Sequence, residues 1–532
     1  MREKRTMLWM LLAVVILLLA ACTPAVAPAE PADDTGEAAA AEATGPVTLE
    51  YNLGTEPPTL DPSLATDTTS SAVIKSTFLG LTELDPETQE AMPMLATEWD
   101  VSEDGTVWTF SMRDDVPWVA FNPDASEVEQ VLDENGEPRM VTAHDVAYGV
   151  VRTCDAATAS DYAYILYIIA GCEAANTGEG SVNEIGVEAL DDSTVQFTLN
   201  YGASFFPQIV SMPVAFAMPR WLIEEEGDTW TEAGVIQGNG PYALAEWVHN
   251  DSMQLVRNPY WFGWEEREDV GNIEVINFVM IEEASTAFAM YENDELDYAG
   301  VPLEQMERVF YSDDSEFADQ GVITPVNCTY YYGFITDREA VSDVNVRRAL
   351  SMAVDRETLV DSVLKGGQLP ANTFTNPQNF GSAAGDADIA PWALPADEGG
   401  VGYEEAVEMA QELMAEAGYS EGEGLSLTIG HNVSESHAKI AQAIQAMWTG
   451  AFPQIQVDIE TQEWGVYLDA LDKDAPLEGK PDVFRLGWCM DYPHANNWLH
   501  EVFNPEAGAN RIMIAADDEQ IGDAVSEYVD TT

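Results

Sequence analysis

Apolar side chains recur along this chain at two spacings, and each spacing predicts a different element. Strict alternation marks Val47-Thr48-Leu49-Glu50-Tyr51-Asn52-Leu53, whose β-branched and aromatic residues read as a strand. Val107 to Met112 and Thr194 to Leu199 alternate in the same way. Helical spacing marks Val344 to Leu364, with Val346, Leu350, Val354 and Leu359 close to one stripe. It also marks Ser436 to Trp448, and Glu404 to Gly418, where Gly418 supplies a C-cap. Thr142-Ala143-His144-Asp145 opens a further helix with a Thr cap and an acid in its first turn. Gly54 to Pro62 is a Pro-rich loop. Strands and helices alternate through the body without a short repeat, which predicts α/β lobes.

The N-terminus follows neither spacing. Arg2, Lys4 and Arg5 precede an apolar run from Leu8 to Leu19, and small residues lead to Cys22. A charged start, a short apolar core and a small-residue cut site make an export signal. The run is shorter than the ~20 residues that span a membrane. The Cys at the cut site resembles a bacterial lipobox, which implies cleavage before Cys22 and a diacylglycerol on it. Residues 23–46 are mostly Ala, Pro, Glu, Asp, Thr and Gly, a composition that cannot bury a core and reads as a disordered tether.

The chain has 532 residues, of which about 485 follow the signal and tether, enough for a large protein of several lobes. Its net charge is −73, a surface that repels phosphate backbones and excludes nucleic acid as a partner. A solvated acidic face suits salt or acid conditions. There is no Asp-x-Asp-x-Asp-Gly loop to suggest calcium. With Cys22 on the lipid, Cys154, Cys172, Cys328 and Cys489 remain of the five Cys. An even remainder in an exported protein suggests two disulfides with three open connectivities, and spacing favours Cys154–Cys172 as a local one. No Cys-x-x-Cys or His pairing accompanies them, so neither a metal site nor a cofactor is expected.

Four blocks carry a family resemblance. They are Gly238-Asn239-Gly240-Pro241-Tyr242 with Leu255 to Pro259 and Trp261; Asp343 to Leu350 continuing to Val354-Asp355-Arg356; Ala410 to Gly418-Tyr419; and Gly487-Trp488-Cys489-Met490-Asp491-Tyr492-Pro493. Together, from about residue 47 to the end, they resemble the family-five extracytoplasmic solute-binding proteins of ABC importers, and most of all the oligopeptide-binding members. The resemblance implies a periplasmic-binding-protein-like two-lobed α/β clamshell with an extra domain inserted in the first lobe. The expected division is 1–21 signal, 22–46 tether, 47–68 and 193–327 first lobe, 69–192 inserted domain, and 328–532 second lobe. Family members continue for roughly another 80 residues (a return segment to the first lobe), so the sequence resembles a fragment. Cys328-Thr329-Tyr330-Tyr331-Tyr332 resembles a segment whose Cys pairs with that of Gly-Trp-Cys, which implies Cys328–Cys489 and leaves Cys154–Cys172.

A receptor for peptides of any sequence needs an anion for the ammonium, a cation for the carboxylate and strand-like hydrogen bonds for the backbone. Arg485 and Asp491 stand six residues apart in an apolar stretch of a chain with only 21 Lys plus Arg. On residue type alone, Arg485 could equally pair with an acid or snorkel from a strand. The resemblance implies that Asp491 binds the ammonium, that Arg485 serves the carboxylate of short peptides, and that His437 meets those of longer ones. It also implies that Tyr331, Trp464 and Trp488 form aromatic walls and that Glu56 approaches the ligand. Where such proteins carry a Lys and an Arg, this chain has Leu364 and Leu471, with Lys365 one step later, so its length preference is expected to differ. The implied function is a monomeric receptor, anchored by lipid outside the bacterial cell membrane, that hands oligopeptides to an ABC transporter permease. An oligosaccharide ligand on the same fold is the first rival, and the 14 Trp would suit sugar stacking. A peptidase is the second, but neither Gly-x-Ser-x-Gly nor His-Glu-x-x-His occurs.

Overall fold

The computed structural model describes residues 45–379, 382–473, 475–492, 494–503 and 509–512. The expectations for the signal, Cys22, the tether up to residue 44 and the segment 513–532 lie outside the described residues. The body from Pro46 onward is one unit, and everything below concerns that unit. Among the described residues no helix is long and apolar enough to cross a membrane.

The alternating segment at the start forms β1 (Thr48–Asn52), followed by α1 (Thr68–Thr77). Next comes an antiparallel sheet of β2 (Ala96–Val101), β3 (Val107–Met112), β4 (Val187–Asp191) and β5 (Thr194–Thr198), in spatial order β2-β3-β5-β4. Between β3 and β4 runs α2 (Ala143–Cys154). At its start the Asp145 carboxylate accepts from the Thr142 backbone N–H at 2.8 Å, as the Thr-x-x-Asp spacing predicts. The chain then returns to β1 through β6 (Tyr242–Val248), β7 (Ser252–Arg257) and β8 (Val275–Val279), giving a sheet ordered β1-β8-β7-β6 with only β1 and β8 parallel.

The 192/193 boundary drawn from the resemblance falls inside the β4–β5 hairpin, and β5 is a central strand of the inserted sheet. A division at 192/193 thus separates two paired strands of one sheet. The 68/69 boundary similarly cuts the first residue from α1. One apolar core runs through both regions, from Leu60 and Phe78 through Phe110 and Phe197 to Trp230 and Leu255. The Gly238-Asn239-Gly240 motif has a mechanical reason. A Cβ at Gly240 would lie 2.6 Å from the Thr77 carbonyl carbon. Without it, the Asn239 and Gly240 N–H groups both reach the Thr77 carbonyl, at 3.0 and 2.9 Å. The Asn239 side chain accepts from Leu79 N–H at 2.7 Å. The last turn of α1 is thus clamped to the first-lobe sheet.

The second lobe is built on β9 (Cys328–Phe334), β10 (Ser426–Asn432), β11 (Gln456–Gln462) and β12 (Val483–Cys489), ordered β9-β12-β10-β11. Helices α3 (Val344–Met352), α4 (Tyr403–Glu416) and α5 (Glu435–Ala451) pack on it through a second core around Leu350, Ala410, Ile429 and Trp448. α6 (Trp464–Leu471) and α7 (Ala495–Phe503) follow β11 and β12. The helix expected from Val344 to Leu364 is broken. It ends at Met352, and Asp355 caps a new turn by accepting from Thr358 N–H at 3.0 Å. A short Asp side chain beside β-branched Val354 offers the backbone this local alternative to a continuous helix.

Candidate functional site

Two cysteine pairs form disulfides, Cys154–Cys172 and Cys328–Cys489. Cys328 and Cys489 stand opposite one another in the β9–β12 register, at the open end of the second-lobe sheet. That register decides which side chains share a face. Residues directly opposite in an antiparallel pair point the same way, and neighbours along a strand alternate. Tyr330, Tyr332, Arg485 and Gly487 therefore share one face, while Tyr331, Phe484, Leu486 and Trp488 share the other.

On the first face the Arg485 guanidinium lies over the Tyr330 ring, 4.4 Å from its centroid. Its Nη1 donates to the Asn432 side chain at 3.2 Å, and its buried Nε has no acceptor. The Tyr330 hydroxyl is 3.2 Å from His437 Nδ1. His437 sits in the first turn of α5, its N–H on Ser434 Oγ. Burial first, then the Arg485 charge, then His431, hold the His437 imidazole down to about 3, so it is neutral at ordinary pH. Arg485 and His437 thus belong to one cluster, and Arg485 is its cation.

Beyond the last residue of β12, Asp491 is enclosed by polar partners. Asn497 Nδ2 donates to its Oδ2 at 2.8 Å, and the Tyr162 hydroxyl lies 3.3 Å from both oxygens. Asn497 is fully buried. Its Oδ1 also accepts from Asp491 N–H at 3.1 Å and from Trp488 Nε1 at 3.3 Å. Burial pushes the Asp491 carboxyl up to about 6, against the hydrogen bonds of Asn497 and Tyr162 and the charge of Lys75. Lys75 lies on the last turn of α1.

Between these poles β12 has a free edge. On its β9 side it pairs along its whole length, but on its β10 side only Val483 and Phe484 pair. The Tyr467 hydroxyl closes Arg485, donating to its carbonyl at 2.8 Å and accepting from its N–H at 3.0 Å. From Leu486 to Cys489 no strand continues on that side among the described residues. Gly487 is exposed, and a Cβ there would meet nothing closer than 4.0 Å. A free strand edge with open space over a Gly offers backbone groups to an extended chain.

The remaining expected residues lie elsewhere. The Tyr331 ring packs edge-on against Phe374 and Phe484, at 5.1 and 5.9 Å. Trp464 starts α6 and packs with Tyr331 on the core around Tyr467 and Leu471. Trp488 leans on the first-lobe core. Glu56 is held within the first lobe, Oε1 2.7 Å from His249 Nδ1 and Oε2 accepting from Asn250 N–H at 2.8 Å. His249 is shared with Glu232 at 3.1 Å. This cluster lines a crevice of about 280 Å³ where Pro58 meets Gly465 at the junction of the lobes. Lys365 is committed to Glu307 at 3.3 Å. A larger groove of about 1060 Å³, lined by Tyr260, Trp261 and Glu127, lies on the first lobe without the Asp491–Arg485 charges.

Tyr162, Lys75, Tyr330, Asn432 and Asn497 were not singled out by the sequence. The Tyr330-Tyr331-Tyr332 run held part of the signal, since strand alternation puts only its outer members beside Arg485.

The profile of the family described as bacterial extracellular solute-binding proteins, family 5, matches residues 90–510. The chain belongs to that family. Family 5 proteins bind solutes and are not enzymes, which removes the peptidase reading. The chain is 32% identical to the oligopeptide-binding protein OppA of Bacillus subtilis over 483 residues, 88% of this chain and 79% of that protein. It is similar in structure to Haemophilus influenzae OppA in complex with RPPGFSPFR, with a TM-score of 0.75 at 29% identity over 91% and 87% of the two chains. The murein tripeptide-binding protein MppA of Escherichia coli gives 0.76 at 28% identity over 90% and 87%. The unliganded open form of MppA gives 0.55 at the same identity over 91% and 87%. Two forms of one relative differ that much only through the placement of their parts. The lobes of this family 5 chain are thus set unlike the open form, in keeping with the Tyr162–Asp491 contact and the 5.6 Å stack of Phe205 on Tyr492.

Proposed function

We propose that this family 5 chain is a receptor for short peptides, gripped in extended form between its lobes. Asp491 takes the ammonium, Arg485 takes the carboxylate, and the free edge of β12 from Leu486 to Cys489 pairs with the backbone. The observation that carries this reading is a buried acid and a cation with an unused buried N–H at the two ends of one unpaired strand edge. With its ammonium at Asp491 and its carboxylate at Arg485, the ligand runs antiparallel to β12. Six residues of strand span at most ~20 Å, and the reach of the two side chains shortens that, so about three to five residues fit. A neutral oligosaccharide needs no such charge pair. The peptide bound to Haemophilus influenzae OppA and the murein tripeptide of MppA support peptide as the cargo of this chain too.

The receptor is exported, carries diacylglycerol on Cys22 and remains a monomer on the outer side of the bacterial cell membrane. It delivers its peptide to the permease of an ABC importer. Native mass spectrometry of the purified full-length protein tests the ligand class. Bound masses of short peptides support the reading, and bound hexose oligomers contradict it.

A further inference from the structure

The start of α5 has a second engagement besides His437. While His437 reaches the Tyr330 hydroxyl beside Arg485, at 3.2 Å, Glu435 two residues earlier reaches Ser285. Glu435 Oε2 accepts from the Ser285 N–H at 3.0 Å, and its Oε1 accepts from the Ser285 hydroxyl at 2.8 Å. Lys439, one turn further along α5, forms an ion pair with Glu304.

Ser285 is held to the first-lobe sheet. It lies in the first turn of the helix Ala284–Glu292, and the chain on both sides of that helix is fastened to β1. Before it, the Asn52 side chain donates to the Ile281 carbonyl at 2.9 Å and accepts from the Ile281 N–H at 3.0 Å. After it, the Asp297 N–H donates to the Glu50 carbonyl at 2.9 Å, and the Tyr298 ring stacks on Tyr51. The Glu435 carboxylate therefore bridges the lobes through two charge-assisted hydrogen bonds, at the positive end of a helix.

Topology places this bridge at the end of the ligand's lane. An extended ligand on the free edge of β12 occupies the lane that β10 holds lower down, where Gly430 stands opposite Phe484. Its carboxyl end advances toward Arg485 and meets the last residue of β10, Asn432, which is bonded to Arg485. The protein's own strand blocks the lane there, so a longer peptide has to turn out of the sheet. One face is filled by the core of Tyr467, Phe484 and Leu486, with Tyr331 packed on it. The other is the face of Arg485, where Tyr330 and His437 stand and the Glu435–Ser285 bridge follows.

We infer that the Glu435–Ser285 bridge is a gate at the carboxyl end of the site, which limits the cargo to peptides of about five residues or fewer. This rests on the peptide reading and adds length specificity to it. A longer peptide has to part the bridge and leave the Glu435 carboxylate without its two donors, a cost that a tripeptide never meets.

Titration calorimetry of the full-length protein, stripped of ligand, with Ala-Ala-Ala and with Ala-Ala-Ala-Ser-Gly-Ser-Gly-Ala at pH 7.5 tests it. The wild type is expected to bind the tripeptide at least about tenfold more tightly than the octapeptide, the effect of losing charge-assisted hydrogen bonds in the bridge. Glu435→Ala brings that ratio to about one. Ser285→Ala, which removes the hydroxyl and keeps the N–H, lowers the ratio by a smaller factor and decides the matter if Glu435→Ala does not fold. A ratio that folded variants leave unchanged, with both peptides weakened equally, shows that the bridge only holds the lobes together, and overturns the gate. A wild-type ratio near or below one also overturns it, and both results leave the peptide reading standing. Failure of both peptides to bind the wild type overturns the peptide reading, and this inference with it.

Discussion

The Tyr162 hydroxyl stands 3.3 Å from both carboxylate oxygens of Asp491, although the two residues are 329 positions apart. Tyr162 comes from the insertion in the first lobe and Asp491 from the end of β12, so the contact forms only when the lobes are together. Closure therefore buries an acid, and Asp491 is raised from the usual carboxylate value to about 6. In the unfolded chain it returns to about 3.8. The folded protein then holds a proton between about pH 4 and pH 6 that the unfolded chain has lost. The stability due to that proton is fully present below the unfolded pKa and is lost as pH rises through about 6.

Asp491→Asn should accordingly stabilise the ligand-free protein at pH 7.5, by about 1–3 kcal/mol, with Lys75 offsetting part of the gain by losing its neighbour. The same change should weaken peptide binding by about 100-fold or more, since it removes the partner of a buried ammonium. Urea unfolding and calorimetry on one preparation check both signs. A variant that is less stable and binds normally contradicts the account.

Arg485 and His437 share a cluster but differ in charge. Arg485→Met should weaken tripeptide binding by about 30-fold or more, and amidating the peptide's carboxyl end should have a similar effect on the wild type. His437 has its pKa depressed to about 3, so it stays neutral above that value. From about pH 5.5 to pH 8 the pH dependence of affinity should then be the same in the wild type and in His437→Gln, set by Asp491 and by the peptide's own amine. An inflection near pH 6.5 that His437→Gln abolishes would show that His437 carries charge in the complex.

The two disulfides should separate in function. Cys154–Cys172 closes a separation of 18 residues and Cys328–Cys489 one of 161. Removing them as Ser pairs should cost about 3 and about 4–5 kcal/mol respectively, by the loop-closure argument. Only loss of Cys328–Cys489 should also weaken peptide binding, because it ties the free end of β12 two residues before Asp491. Equal binding by both Ser pairs contradicts this division.

The elements that depend on local pattern were legible in the sequence. β1, β3 and β5 alternate, and α2 announces itself through Thr142 and Asp145. The clamshell came from motif order, and the roles expected of Arg485 and Asp491 came from the same resemblance, the scarcity of cations only drawing attention to Arg485. What was hidden depends on register and on distant chain. No local pattern brings Tyr162 or Lys75 to Asp491, and Asn497 has no signature besides its spacing. Whether Tyr330 or Tyr331 faces Arg485 follows from which residue opposes which across β9 and β12. Glu56 sits in the expected loop, but His249 and Asn250 hold its carboxylate. The break after Met352 was missed because helical spacing persists beyond the Asp355 cap.

The charge imbalance has a consequence for the whole body. There are 94 Asp plus Glu against 21 Lys plus Arg, and Arg113, Arg152, Arg267, Arg308 and Arg338 are already paired. Most acids therefore repel one another across water. Raising NaCl from about 0.05 M to about 1 M shortens the screening length from ~14 Å to ~3 Å and should raise Tm by several degrees. A Tm that falls over this range would mean that ion pairs outweigh the repulsion.

The central claim is that a buried carboxylate at one end of the β12 edge recognises the ammonium of a short peptide. Calorimetry of the ligand-free, full-length protein with one tripeptide and its N-acetylated form tests this most directly. The account predicts micromolar or tighter binding of the free peptide and a loss of about 100-fold or more on acetylation. Equal affinity for the two forms contradicts it.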